Sequence, residues 1–515
     1  MKHRRRTKDS KKRATTVGLV LRPLGVPLVG EGVAMLACLI PSLHYADGSH
    51  WRILVAALLT IAVGAALLRA LPRQTASDSS DRRLSYLTVT LVWLVMTLFG
   101  TLPFLLAGIE KVDAAAGLSP LNFRFSISFV DAFFESLSGL TSTGATVFAD
   151  VERLPASLLL WRSLTEWLGG FGIILLVLAV VPSMGLNKYS LYTAEASSAD
   201  NTGKTSTSMR TMVQQTLVIY ASLTLFFVVA LMLSGMTLWE AVNLTFTNIS
   251  TGGFSIYADS IARFTPTQQY LLAAAMFLGG VNFALLYNVF TFRWRRLRHK
   301  LDQFGFYLAL TLAGIAFVVL SLHSRNGMAL DDALRCGIVQ TVSVVTTTGS
   351  VVGDTNLWWT PVVLLFLVLN LCGGMAGSTT GGLKVMRVLI LLRSVRTTLA
   401  NRLHPNAYNP VRLNGRPVSD EMVTNVMVIF IVFVITMLVG VLLLMLCGVD
   451  ATESLGAVFG CLTSYGPGLG SCGGFGSYAA FPAAAKLLCS TLMLLGRLEC
   501  LTVFILFLPG FWRNR

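Results

Sequence analysis

Residues 421–447 form a predominantly apolar run whose only charged side chain is Glu421. A helix of about 20 such residues crosses a hydrocarbon core of about 30 Å. The chain repeats this pattern. Residues 53–68, 86–109, 211–234, 303–322 and 360–372 are also nearly free of charge. One such block can be the buried helix of a large soluble protein, but a succession of them cannot. Composition agrees: 54% of the residues are hydrophobic and 13% charged, against about 25% charged in ordinary soluble chains. The expected fold class is an all-α integral membrane protein with about ten transmembrane helices, since backbone in lipid has to satisfy its own hydrogen bonds.

A net charge of +15 would fit nucleic acid only if it formed one continuous basic face. Instead the cations lie in short patches between apolar blocks: Lys2 to Arg13, Arg69 to Arg83, Lys188 to Arg210, Arg293 to Lys300, Arg393 to Arg416, and Arg513 with Arg515. Glu110, Asp113, Asp131, Glu135, Asp150 and Glu152 fall in one intervening connection, and Asp331, Asp332 and Asp354 in another. Basic connections stay in the cytoplasm, so both termini are expected there and nucleic acid is excluded as a partner. Residues 17–43 contain Arg22, Pro23, Pro27 and Glu31, with no small-residue cleavage pattern after them. They read as a retained membrane helix with an irregular start rather than a signal peptide. The eight cysteines have no metal-type spacing. Cys461 and Cys472 flank one loop, and whether they pair is left open.

Between long apolar blocks the chain makes the same short excursion four times, a moderately apolar stretch ending in hydroxyl residues and glycine. The ends are Leu140-Thr141-Ser142-Thr143-Gly144-Ala145-Thr146, Asn248-Ile249-Ser250-Thr251-Gly252-Gly253-Phe254-Ser255, Val345-Thr346-Thr347-Thr348-Gly349-Ser350 and Leu462-Thr463-Ser464-Tyr465-Gly466-Pro467-Gly468. Taking Gly253 in the second, successive glycines are 109, 96 and 117 residues apart. An acidic residue lies 13 positions before the glycine in the first, second and fourth copies, whereas Asp332 lies 17 before Gly349. Such regularity implies one supersecondary unit used four times. Each excursion is too short to span and reads as a re-entrant loop, whose extended end is tolerated at membrane depth only when buried in protein or lining a watery cavity. Four sets of carbonyl oxygens around one axis would replace part of an ion's hydration shell. The alternative is that the small residues merely let helices pack.

These loops resemble those of the Trk/Ktr/HKT superfamily of potassium transporters, most closely its bacterial TrkH branch. The resemblance extends to Trp167-Leu168-Gly169-Gly170-Phe171-Gly172-Ile173-Ile174, to the run from Gly373 to Lys384, and to Gly496-Arg497-Leu498-Glu499. It implies four M1-P-M2 repeats around one pore, two extra N-terminal helices, and a homodimer in the bacterial inner membrane. The corresponding divisions are 1–84, 85–200, 201–300, 301–415 and 416–515. The filter it implies is Ser142, Thr143 and Gly144; Ser250, Thr251, Gly252 and Gly253; Thr347, Thr348 and Gly349; and Ser464, Tyr465 and Gly466. The second loop is ambiguous by one residue, with Gly253 favoured because Gly-Phe-Ser parallels Gly144-Ala145-Thr146. Gly144 in the first loop favours potassium, because relatives with Ser there tend toward sodium. Three positions depart from the family pattern: Ser350 where Phe is usual, Ser464 where Asn is usual, and Glu166 where Gln is usual.

Residues 373–382 hold five glycines and three hydroxyl residues in ten positions, which a helix interior does not sustain. They are either a tight helix crossing or a flexible intramembrane loop. The resemblance implies the loop, a gate beneath the filter involving Gly373, Gly374, Gly377, Ser378, Thr379, Gly381, Gly382 and Lys384. Arg497 lies near the middle of the apolar run 482–508, where a cation is costly and usually functional. It either pairs with Glu499 or Glu166, or stands beside the pore as an electrostatic barrier, the role the resemblance implies. The six histidines lie in or near loops, and no nucleophile–base spacing argues for an enzyme. Potassium uptake through the filter, with no cofactor, is the leading expectation. The alternative is a sodium- or proton-coupled symporter, with Glu31 and Glu166 as coupling carboxyls. The resemblance also implies a cytosolic nucleotide-binding regulatory ring of the TrkA kind, for which residues 293–300 and 393–416 offer basic docking surfaces.

Overall fold

The computed structural model describes residues 18, 20–71, 82–107, 127–180, 209–292, 301–404 and 409–512. Lys2 to Arg13, residues 293–300, Arg513, Arg515, Glu110 and Asp113 lie outside the described residues, as do most of the patches 69–83 and 188–210. Among the described residues the only strands are the antiparallel pair Arg412–Leu413 and Arg416–Pro417. Six helical stretches among the described residues are long and apolar enough to cross a bilayer: Arg22–His44, His50–Ala70, Tyr86–Leu106, Val213–Leu233, Leu301–Ser324 and Asp420–Leu446. The 25-residue helix Ala156–Val180 has the length to do so as well, about 37 Å at the usual rise. Along Asp420–Leu446 the side chains of Ile431, Ile435, Leu438, Leu442 and Leu446 are exposed. They follow a three-to-four-residue period and present an apolar stripe to lipid.

The chain divides into two compact units. One comprises 1–137, 153–162 and 501–515. Its first span starts irregularly, as its prolines predict. A 3₁₀ turn, Arg22–Leu24, takes Pro23 into its first turn, and the helix is interrupted again at Cys38. This span crosses His50–Ala70 closely. A β-carbon on Gly64 would lie 2.9 Å from the Gly25 carbonyl oxygen, and one on Gly32 3.0 Å from that of Ala57. Glu31 is buried there beside Leu28 and Met35, and neither of its carboxyl oxygens has a hydrogen-bond partner among the described residues. Glu135, expected in an outward acidic connection, is instead fully buried and pairs with Arg162 Nε at 2.8 Å.

The second unit, 138–152 and 163–500, holds the loop ends. The short helices leading into them are Phe129–Leu140, Leu238–Ile249, Leu330–Val345 and Ala451–Leu462. Asp131, Glu240, Asp332 and Glu453 each occupy the third position of their helix. This placement explains the odd spacing of the third copy. Its helix has 16 residues where the others have 12, so one extra turn separates Asp332 from its glycine. A carboxylate in the first turn complements the helix dipole and can reach back to the cap. Glu240 does so: its carboxylate accepts the Thr237 N–H at 3.0 Å while Thr237 Oγ1 accepts the Glu240 N–H at 3.3 Å.

Candidate functional site

Each of Gly144, Gly253, Gly349 and Gly466 stands four residues beyond the last residue of its short helix. All four have positive φ, at 77°, 89°, 83° and 91°. Two residues earlier, Ser142, Thr251, Thr347 and Ser464 are also left-handed, with φ of 49°, 53°, 53° and 56°. Non-glycine residues rarely adopt that conformation, and four in register mark an imposed geometry. The same short hydrogen bond recurs in each loop: the N–H of Thr143, Gly252, Thr348 and Tyr465 donates to the carbonyl of Ser138, Thr247, Ser343 and Gly460 at 2.8–2.9 Å. Gly252 lacks the positive φ, so the second register falls on Gly253.

The four loops close on one another. A β-carbon on Gly144 would strike the Gly252 carbonyl oxygen, one on Gly253 that of Thr348, one on Gly349 that of Tyr465, and one on Gly466 that of Thr143. The contacts run first to second, second to third, third to fourth and fourth to first. They make a ring in chain order in which a glycine of one loop abuts the carbonyl before the glycine of the next. Glycine is required here both for its φ and for the space a methyl would fill.

Support comes from behind. Gly169, Gly279 and Gly496 bring the following helices against the last carbonyls of the first, second and fourth short helices, those of Leu140, Ile249 and Leu462. Tyr478 donates its hydroxyl to the Gly466 carbonyl at 2.8 Å and its N–H to Thr146 O at 2.8 Å. The Glu166 carboxylate accepts the Phe254 N–H at 3.1 and 3.2 Å, which fixes the turn after Gly253. Ser350 donates to Asn248 Oδ1 at 2.8 Å, and Tyr465 Oη accepts from Gln340 Nε2 at 3.3 Å. Two of the three departures from the family pattern thus make specific buried contacts, while the hydroxyl of the third, Ser464, has no partner among the described residues.

The helix Thr360–Cys372 stops at Gly373, and helix resumes only at Val385. Between them the chain bonds residues about a hundred positions away. Met375 N–H donates to Gly280 O at 3.0 Å, Gly377 O accepts the Phe283 N–H at 3.1 Å, and Asn282 Nδ2 donates to Ala376 O at 2.6 Å. The Thr379 hydroxyl donates to the carbonyls of Ile249 and Gly279 at 3.2 and 3.1 Å, and Thr251 donates to it at 3.1 Å. The chain then returns: Gly381 N–H donates to Thr347 Oγ1 at 2.7 Å and Gly382 N–H to Thr463 O at 3.0 Å. Four residues, 379–382, thereby touch the second, third and fourth loops. The segment is tied internally by Ser378, which bonds Met375 O at 2.6 Å and meets Thr380 Oγ1 at 2.9 Å, and by Lys384, which donates to Thr380 O.

Arg497 completes the arrangement. It is 3% exposed. Its three hydrogen bonds go to neutral oxygens: Thr379 O at 2.9 Å, Ser142 Oγ at 3.1 Å and Gly169 O at 3.1 Å. Neither expected carboxylate is its hydrogen-bond partner, for Glu499 pairs with Arg387 at 2.5 Å and Glu166 holds Phe254. Thr379 itself bonds the carbonyls of Ile249 and Gly279, so Arg497 links the 373–384 segment, where it meets the second loop, to Ser142 of the first. The sequence placed Arg497 in mid-helix. In fact it is the last residue of Ala483–Arg497, just before Glu499 with φ 57°. The helix after the second loop breaks at the matching point, Pro266–Gly279 and Phe283–Phe290 meeting at 107°.

The sequence profile of the TrkH family, described as a cation transport protein, matches residues 51–513. The chain belongs to the TrkH family. It is therefore a multi-pass membrane transport protein and not an enzyme. It is 34% identical over 501 residues to the Trk system potassium uptake protein TrkH of Halomonas elongata, covering 96% of this chain and 99% of that one. Its identity to the protein of the same description from Escherichia coli K12 is 30% over 498 residues, with the same coverages. The crystal structure of the potassium transporter TrkH from Vibrio parahaemolyticus superposes with a TM-score of 0.84 at 28% identity, covering 96% of this chain and 100% of that one. Sequence reasoning did not single out Tyr478, Gln340 or Asn248 as contacts of the loop ends. Tyr478 sits in a glycine-rich loop with no periodicity to single it out. All eight cysteines are free thiols, so Cys461 and Cys472 are unpaired.

Proposed function

We propose that the chain is the pore-forming subunit of a Trk-type potassium uptake system, conducting through the ring of Gly144, Gly253, Gly349 and Gly466. The observation that carries this reading is the cyclic contact of the four glycines with the carbonyl before the next. Extended backbone closed around an axis is a selectivity filter's construction. The filter consists of the short stretches ending in those glycines, 142–144, 250–253, 347–349 and 464–466. Uptake is driven by the membrane potential, which supplies about 2.3 kcal/mol per charge for each 100 mV. Residues 373–384 and Arg497 gate the pathway, a reading supported by the bonds from Arg497 to Thr379 O and Ser142 Oγ and by the contacts of 379–382 with three loops.

Conduction without a coupling ion is favoured over symport because Glu166, one of two candidate coupling carboxyls, is committed to the Phe254 N–H. The repeats are assigned to 85–200, 201–300, 301–415 and 416–515, after an N-terminal pair within 1–84. Homodimerisation, both termini in the cytoplasm of a bacterial inner membrane, and a cytosolic nucleotide-binding ring docking on the basic patches belong to the same proposal. The relatives' description as parts of a Trk system supports the existence of further components.

Purified protein in potassium-loaded liposomes, with sodium-loaded vesicles in parallel, tests the reading. Potassium flux that persists without any proton or sodium gradient, and exceeds sodium flux, is the expected result. Flux that requires a second ion gradient would replace conduction with symport, and equal potassium and sodium flux would remove the filter assignment.

A further inference from the structure

The residues two before the ring glycines, Ser142, Thr251, Thr347 and Ser464, share one left-handed backbone conformation and are all buried. Each carries a hydroxyl at the same position of its loop. Three of them are engaged by the gating elements. Ser142 Oγ accepts from the Arg497 guanidinium at 3.1 Å while donating to Glu166 O at 3.2 Å, Thr347 Oγ1 accepts from the Gly381 N–H at 2.7 Å, and Thr251 Oγ1 donates to Ser250 O at 2.8 Å and to Thr379 Oγ1 at 3.1 Å. The fourth, Ser464 Oγ, is 1% exposed and has no partner among the described residues. Buried hydroxyls are rarely left unmatched, and an exception calls for a functional account.

The polarity of these bonds matters. A guanidinium and a backbone N–H present their positive ends to the lone pairs of Ser142 and Thr347, the same lone pairs a cation would use. Hard monovalent cations are held by neutral oxygens of this kind. A hydroxyl oxygen has two lone pairs, so the N–H donor at Ser142 or Thr347 takes one of the two positions open to an ion, and its positive end repels a cation from the other.

We propose that the hydroxyls of Ser142, Thr251, Thr347 and Ser464 form the innermost cation-binding step of the pathway, and that Arg497 and Gly381 close it by donating hydrogen bonds to Ser142 and Thr347. Cation and gate then compete for one set of oxygens. This rests on the filter assignment above and adds to it a regulator, the permeant ion itself. Raising potassium on the gate side opens the pathway by mass action, since the ion binds the open form alone. Ser464 is the ligand the gate leaves unmatched, through which an ion begins to displace it.

Single-channel recording of the full-length protein in planar bilayers tests the competition, with potassium raised on each side in turn. The open probability rises with potassium on one side only. Thr347→Ala, which deletes the acceptor of the Gly381 N–H, raises open probability at low potassium by roughly fivefold, the equivalent of one neutral hydrogen bond. Thr347→Ser restores the wild-type value. Ser464→Ala lowers unitary conductance and flattens the potassium dependence without raising open probability. An open probability independent of potassium on both sides, in a channel that still selects potassium over sodium, would overturn the competition and leave the filter standing. So would a Thr347→Ala protein that elutes as the wild type does and opens no more often. Failure of the wild type to select potassium over sodium would overturn both.

Discussion

Replacing Gly253 and Gly252 separately by alanine tests the ring geometry at its most discriminating point, because the two glycines are adjacent and chemically identical. At Gly253 the backbone has φ 89°, and the new methyl would meet the Thr348 carbonyl, which is backbone and cannot swing aside. The left-handed conformation costs about 1–2 kcal/mol for any residue with a β-carbon, and forcing a methyl into close-packed backbone costs about 1–3 kcal/mol more. At about 1.4 kcal/mol per tenfold, Gly253→Ala should lower the population of the intact ring by roughly 30-fold or more. At Gly252 φ is not positive, and the methyl meets the buried carboxylate of Glu166, which can give way only by loosening its hold on the Phe254 N–H. The expected loss there is within roughly tenfold. Rubidium uptake into liposomes, with sodium competition, reads both variants, and size-exclusion profiles report folding. Gly252→Ala being as damaging as Gly253→Ala would refute the register, and a silent Gly253→Ala would refute the ring.

Other perturbations follow from the same geometry. Arg497→Ala removes three hydrogen bonds that tie the 373–384 segment to the first loop, and liposome flux should rise at least about tenfold, since bonds to a charged donor are each worth about 1.5–3 kcal/mol; unchanged or reduced flux from a monodisperse variant would contradict the gating role. Tyr478→Phe leaves the Gly466 carbonyl without its 2.8 Å donor and should reduce potassium-over-sodium selectivity measured by reversal potential, by about 1 kcal/mol. Glu135→Gln strands the buried Arg162, and thermal unfolding in detergent should show a loss of about 3–5 kcal/mol. Burial opposes ionisation of Asp47, yet hydrogen bonds from the Ser42 and Ser49 hydroxyls and from the N–H groups of Ser49 and Ser157 hold its carboxyl below the usual range. A carboxyl depressed in the folded state stabilises fully above its unfolded pKa of about 3.9 and loses that contribution as pH falls through the lower folded value. Asp47→Asn should therefore flatten the acid limb of a Tm-against-pH curve, and an unaltered limb would show that Asp47 carries no such linkage.

The membrane character and the fourfold loop were legible because each rests on local chemistry: charge-free runs in one case, hydroxyl residues before glycine in the other. The spacing of acidic residues before the glycines was legible too, since a carboxylate at the third helical position is a local capping preference. Its one irregularity, Asp332, needed the length of the third helix to explain it. What the sequence did not convey was long-range. Tyr478 reaches Gly466 through a loop with no period, and Glu135 looked like a solvent-facing acid because its partner, Arg162, is 27 residues away. Arg497 read as a mid-helix cation because the chain beyond it remains apolar, and the break at Glu499 depends on a positive φ that no glycine announces.

The fourth-to-first contact of the glycine ring has a consequence for biogenesis. Gly466 closes on Thr143 and Gly144, yet it leaves the ribosome about 320 residues after them. At ordinary elongation rates that is a delay of roughly 15–60 s, during which the first re-entrant loop lies in the membrane without its last neighbour. Extended backbone in that state needs water, protein or an insertase to satisfy it. Truncation of the final repeat should thus strand the first loop and expose it to quality-control proteolysis, so that nascent chains are made safe only when synthesis is nearly complete.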